Sequence, residues 1–166
     1  MTTQPLPASS WLNAPAHHAW LATEGQRLLS FAKASKLPEG FGNLDDHGVL
    51  PPDAVAETMN TARMTHSFAM AHGLGLPGYA DLVEHGVAAL SGPLRDARHG
   101  GWFATPNASD GNTGKAAYLH AFVALAASSV RSNLTSFGAD QVSGRGPGSM
   151  AGRGRDLGVR RLRLPA

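Results

Sequence analysis

The run Thr61-Ala62-Arg63-Met64-Thr65-His66 carries the one charged side chain between Glu57 and Asp81, and that side chain is Arg63. At about 100° per residue, Met59, Arg63, His66 and Met70 share one narrow helical stripe, while Met64 and Phe68 occupy the other side. A helix apolar on both faces is normally buried on both, and a guanidinium is almost never fully buried without partners. Arg63 therefore either joins a hydrogen-bonded network between helices, together with His66, or points into a polar pocket. In a pocket, a fixed cation can stabilise charge developing on a reacting oxygen, and a histidine beside it can move protons near neutral pH. On the residues alone, the interhelical network is the simpler reading.

Other residues with chemistry to offer are more ordinary in their settings. Tyr118 and His120 lie about 200° apart on a helix, so both cannot face one cavity. Tyr118 shares a stripe with Phe122 and Leu125 and reads as a core tyrosine with a bonded hydroxyl, and His120 reads as a structural histidine. His99-Gly100-Gly101-Trp102-Phe103 reads as a turn whose aromatic rings pack, and His17-His18 as exposed helix surface. The eight histidines show no HExxH or other metal-ligand spacing. With no cysteine there is neither a disulfide framework nor a thiolate site. We therefore expect no metal and no cofactor.

The elements that would position these residues are helices. Ser9 or Ser10 is a candidate cap for a first helix reaching about Ser35, with Trp20, Leu28 and Phe31 on one face and Glu24 and Arg27 towards water; Pro38-Glu39-Gly40 stops it. Phe41 to Pro52 reads as a loop. Asp53 is a candidate cap for a second helix that ends before Gly73-Leu74-Gly75-Leu76-Pro77-Gly78. A third helix, Tyr79 to Leu90, turns Val83, Val87 and Leu90 inward and Asp81 and Glu84 outward. The segment His99–Ala104 suggests a short hairpin strand after a glycine turn, and residues 105–114 a polar loop. A fourth helix, Lys115 to about Val130, is apolar nearly all round. Amphipathic and buried helices thus alternate. A four-helix bundle would make each amphipathic on one side, whereas alternation implies an outer layer covering an inner one, as in an α/α barrel.

The 166 residues fit one domain able to bury a core. The net charge of +2 conceals two regions. Residues 1–130 hold seven basic against ten acidic side chains, a net of −3, while residues 131–166 hold seven arginines against Asp140 and Asp156, a net of +5. Seven glycines, from Gly138 to Gly158, are interleaved with those arginines, a composition too poor in apolar surface to offset the ordering of the chain. The N-terminal segment lacks the basic start and apolar run of a secretory signal, and no uncharged apolar run reaches the ~20 residues needed to span a bilayer. The expected location is the cytoplasm, with no membrane contact.

Five segments in order resemble the N-acylglucosamine 2-epimerase family, which includes mannose isomerase, sulfoquinovose isomerase and the cellobiose 2-epimerases. They are Gly40-Phe41-Gly42 with Leu44-Asp45; Thr61 to His66; Leu82-Val83-Glu84-His85-Gly86; His99 to Phe103; and Lys115 with Tyr118-Leu119-His120-Ala121-Phe122. The similarity runs from about Trp11 to Ser129. It implies an all-α fold, the N-terminal part of an (α/α)6 barrel with a central sugar pocket. It also implies metal-free proton transfer beside a sugar carbonyl, giving aldose–ketose isomerisation or C2 epimerisation of a mannose-, N-acylglucosamine- or sulfoquinovose-type substrate. By this resemblance Arg63 is the catalytic arginine of the pocket and faces the barrel axis. Phe41 and Tyr118 match its aromatic and phenolic lining, and His66 and Met59 stand beside Arg63 as substrate contacts.

Two departures accompany the resemblance. Met59 stands where many members carry a tryptophan, which weakens or reshapes sugar stacking. Members are also much longer chains whose acid/base histidines come from later helices. The text after residue 130 reads instead as the product of an altered reading frame, giving a barrel domain at 1–130 and an irregular tail at 131–166. Such a chain would be weakly active or inactive. Its open edge, at Met64–Phe68 and Phe122–Leu125, would favour self-association. The alternative is a non-catalytic helical binding module whose basic tail contacts nucleic acid. That reading is the weaker one, because the tail has one aromatic residue, Phe137, and no repeated RGG box.

Overall fold

Pro15 supplies the fixed φ that suits a first helical position, and in the computed structural model it opens helix α1, Pro15–Ala32. The structure describes residues 10–106 and 115–143. A single 3-10 turn, Trp11–Asn13, precedes α1, and Ser10 makes no side-chain cap bond; the alternative cap, Ser9, lies outside the described residues. A second 3-10 turn, Lys33–Ser35, leads into an antiparallel hairpin of β1, Lys36–Leu37, and β2, Gly40–Phe41. Helices α2, Thr58–Gly73, α3, Ala80–Ser91, and α4, Ala117–Ser143, complete the fold. Among the described residues the fold is all-α apart from the hairpin and one antiparallel bridge between Arg95 and Trp102. None of the helices is long and apolar enough to cross a membrane, among the described residues.

Helix α2 is the centre of the packing, lying chiefly against α4 and then α3. Its Phe68 is fully buried between the rings of Phe41, at 5.5 Å, and Tyr79, at 5.7 Å. Val83 and Leu82 of α3 close this cluster. Ala62 of α2 joins Leu90, Leu94, Val123 and Ala126 in a second cluster at the α2–α4 seam. Full burial of side chains such as Phe41, Phe68 and Val83 contributes about 1.5–3 kcal/mol each. Gly86 lets α3 approach α2 closely, since a Cβ there would run into the Thr65 side chain.

The buried stripe of α2 also holds three threonines one turn apart, Thr58, Thr61 and Thr65, all with no exposed surface. Each hydroxyl has a backbone partner. Thr58 donates to the Phe103 carbonyl at 2.5 Å, Thr61 Oγ1 accepts from the Phe41 N–H at 3.0 Å, and Thr65 donates to the Thr61 carbonyl at 2.6 Å. The hairpin and the 94–104 loop are thereby fastened to α2. Gly40, at φ 145°, makes the fit possible because a Cβ there would sit 2.5 Å from Thr61 Oγ1.

Several expectations are corrected. The second helix begins at Thr58 rather than at Asp53, because the Glu57 N–H is taken by the Phe41 carbonyl and the Thr58 N–H by the Ala104 carbonyl, in extended backbone. The apolar side of α1 is uncovered: Trp20, Leu28 and Phe31 are all exposed, and α1 reaches the core only through Leu29 and Ala32. Helix α2 is buried on one face and bare on the other. Phe68 therefore belongs to the core rather than to an open edge. Tyr118 is 61% exposed and is not a core tyrosine. Helix α4 passes the expected boundary at residue 130 and runs to Ser143; the remainder of the Gly/Arg-rich segment, 144–166, lies outside the described residues, as do 107–114 of the expected polar loop.

Candidate functional site

The bare face of α2 follows directly from its sequence. Thr61, Ala62, Thr65, Phe68 and Ala69 take the buried arc, which leaves Arg63 and Met70 exposed and Met59 and His66 half-buried on the opposite stripe. Residues three and four apart on a helix are surface neighbours, so Met59, Arg63, His66 and Met70 form one continuous ridge. Beside it runs α4, which presents Tyr118 and Leu125 to solvent, with Phe122 half-buried between them.

Contacts between the two helices join these residues into a single surface. The Arg63 guanidinium carbon stands 5.3 Å from the centre of the Phe122 ring, within cation–π range. The Tyr118 ring meets Phe122 edge-on at 5.0 Å. One to two turns further along, His66 Nδ1 and Ser129 Oγ are 2.6 Å apart. An arginine held over an aromatic ring in this way keeps its guanidinium donors available for other partners. The face thus offers donors from Arg63, a hydroxyl from Tyr118, an imidazole from His66 and apolar area from Met59. Among the described residues, no three His, Asp or Glu side chains converge on one point.

The structure brings Arg63, Tyr118, His66 and Met59 onto one face but sets Phe41 apart. Phe41 has no exposed surface; its ring packs on Phe68 and edge-on against His85 at 5.3 Å. The physical reason is its N–H bond to Thr61, which turns the strand under α2. Phe41 supports the helix that carries Arg63 from behind and lines no open surface. His120 is structural: its Nδ1 donates to the Ala116 carbonyl at 2.9 Å, and its ring packs edge-on against Trp102.

One ion pair braces the site from the side. Asp96 is buried, and its carboxylate accepts from Lys115 Nζ at 2.5 Å and from the backbone N–H groups of His99 and Arg98 at 2.9 and 2.8 Å. The Lys115 hydrogen bond, then the backbone donors, hold this carboxyl well below the usual carboxylate range. Lys115 also donates to the Gly100 carbonyl at 2.6 Å, so the start of α4 is tied to the turn at Gly100-Gly101. The same loop delivers the Phe103 and Ala104 carbonyls to Thr58 at the start of α2. Sequence reading missed this brace and the threonine stripe. The spacing Thr58, Thr61, Thr65 was its available signal.

Over 121 residues, 73% of its length, this chain is 69% identical to D-mannose isomerase of Pseudomonas cannabina pv. alisalensis. Over 122 residues it is 46% identical to D-mannose isomerase of Thermobifida fusca. The chain spans about three tenths of the length of these curated relatives, 29% and 30% respectively. Residues 40–143 match the sequence profile of N-acylglucosamine 2-epimerase (GlcNAc 2-epimerase), a stretch that reaches the end of α4 and holds every element of the site. The chain belongs to the N-acylglucosamine 2-epimerase family.

Proposed function

We propose that the α2–α4 face is one wall of a monosaccharide pocket in an aldose–ketose isomerase or 2-epimerase, with D-mannose as the leading substrate because both named relatives are D-mannose isomerases. The observation that carries the reading is Arg63 lying on Phe122 beside Tyr118, on a face bare of other protein. In this mechanism a base takes the proton from C2 of the open-chain sugar, and the carbonyl oxygen gains the charge of an enediolate. Arg63 donates to that oxygen, and a preorganised donor of this kind contributes about 2.7–4 kcal/mol to a developing oxyanion. Passage of the O2 hydroxyl proton to O1, with return of the carbon-bound proton to C1, gives the ketose; return to the other face of C2 gives the epimer. No metal is required by these steps. Tyr118, His66 and Met59 bind and orient the sugar, and Phe41 holds α2 in place from behind.

The proton-transfer groups belong to the part of the barrel that the relatives have beyond this match. Each such group contributes about 10²–10⁴ in rate, so the 166-residue chain by itself should turn over sugar negligibly. Its bare α1 side, with Trp20, Leu28 and Phe31, and its exposed Leu125 favour self-association. The test is incubation of the purified chain with mannose, glucose, N-acetylmannosamine and sulfoquinovose, following ketose or epimer formation by NMR. We expect mannose-dependent shifts at Arg63 and Tyr118 without appreciable conversion. Absence of any mannose effect on either residue would overturn the wall assignment. Turnover at ordinary enzyme rates, abolished by Arg63→Ala, would overturn the division of labour.

A further inference from the structure

We propose that Ser129 is a positioning residue that fixes the tautomer of His66, so that Nε2 faces the sugar as a hydrogen-bond acceptor. This rests on the reading of the α2–α4 face as a sugar-binding wall. Ser129 is buried on α4, and its Oγ makes two contacts, with the Leu125 carbonyl at 3.0 Å and with His66 Nδ1 at 2.6 Å. A hydroxyl has one proton to give. A carbonyl can only accept, so the Ser129 proton goes to Leu125, and the second contact then requires His66 Nδ1–H to donate to the Ser129 oxygen. Both bonds are satisfied at once only by the Nδ1–H tautomer of the neutral ring. The lone pair is left on Nε2, on the opposite edge of a half-buried ring lying between Arg63 and Met70 on the bare stripe.

The consequence is a defined recognition pattern. Arg63 can only donate, and His66 so held accepts through Nε2, and the two are one turn apart on the same ridge. A pair of sugar oxygens matches that order: one accepts from the guanidinium while a neighbouring hydroxyl donates to the imidazole. A ring in the other tautomer would set two donors side by side, and a hydroxyl could then meet His66 only as an acceptor. The next turn of α4 keeps the geometry, with Asn133 Nδ2 donating to the Ser129 carbonyl at 2.8 Å.

Long-range ¹H–¹⁵N correlation spectra of the 166-residue chain at a pH where His66 is neutral read the tautomer directly. The expected result is Nδ1 protonated and Nε2 bare in the wild type, a shift of population towards Nε2–H in Ser129→Ala, and recovery of the wild-type pattern in Ser129→Thr, which keeps the hydroxyl. Adding D-mannose should perturb His66 Nε2 in the wild type and in Ser129→Thr, and Ser129→Ala should weaken apparent mannose binding about three- to tenfold. A wild-type His66 protonated at Nε2, or a tautomer indifferent to Ser129→Ala, overturns this inference whatever mannose does. A correct tautomer with no mannose shift at His66, Arg63 or Tyr118 overturns the sugar-wall reading and with it the role given to Nε2. Mannose shifts at Arg63 and Tyr118 with none at His66 overturn the acceptor role alone.

Discussion

Replacing Thr61 with valine removes one acceptor from the buried centre of the chain and almost nothing else. The two side chains have nearly the same shape, and their helix propensities are close, so no cavity opens and no backbone preference changes. What changes is the Phe41 N–H, whose hydrogen-bond acceptor is Thr61 Oγ1 at 3.0 Å, in a bond with both residues fully buried. A buried donor left without a partner costs about 1–3 kcal/mol. With a urea dependence of about 2 kcal/mol per molar, the unfolding midpoint should fall by about 0.5–1.5 M. Thr65→Val is the matched control one turn on. Its hydroxyl only donates back to the Thr61 carbonyl within the same helix, a bond that adds little to a helix, and burying a methyl group in its place offsets the loss. Its midpoint should stay within about 0.3 M of the wild type, and Thr61→Ser should lie nearer the wild type than Thr61→Val. The readout is urea unfolding followed by circular dichroism. Equal effects at Thr61 and Thr65, or a Thr61→Val midpoint indistinguishable from the wild type, would refute the claim that this hydroxyl seats the hairpin on α2.

Two further outcomes follow from the site. Asp96 has a folded-state pKa depressed below its ordinary 3.8, so its contribution is present above about pH 4 and is lost as pH falls below that; Asp96→Asn should be less stable than the wild type at pH 7, with the gap narrowing in thermal melts below pH 4, and a gap that stays constant with pH would contradict the ion-pair brace. Arg63→Lys keeps the charge but gives up the planar guanidinium fork held over Phe122, so mannose titrations followed by NMR should show affinity reduced about fivefold or more, as expected for a lost charged hydrogen bond; unchanged affinity would place the sugar elsewhere.

The all-helical plan was legible in the sequence because apolar spacing marks faces. Val83 and Leu90 inward, Asp81 and Glu84 outward, and Phe68 opposite Arg63 all follow from that spacing, and all hold in the structure. The same spacing could not show what fastens α2. Thr58 and Thr61 count as polar in any hydrophobic pattern, and their partners lie 45 and 20 residues away in the chain, where no local periodicity reaches. The fate of Phe41 was hidden for the same reason. Its aromatic type suits a pocket lining, but its burial is decided by a backbone bond to a side chain on another element. The bareness of α1 and of the Arg63 stripe has a different origin. An amphipathic pattern specifies that a face wants cover and is silent on what supplies it, and here Trp20, Leu28 and Phe31 stand uncovered on a chain that spans about three tenths of its relatives. The side chains proposed to meet sugar lie on the other uncovered face, that of α2 and α4. Sequence periodicity therefore grouped the residues of each face without showing that either is bare, and only the contacts of Arg63 with Phe122 and of His66 with Ser129 distinguish the one built from polar groups held in place.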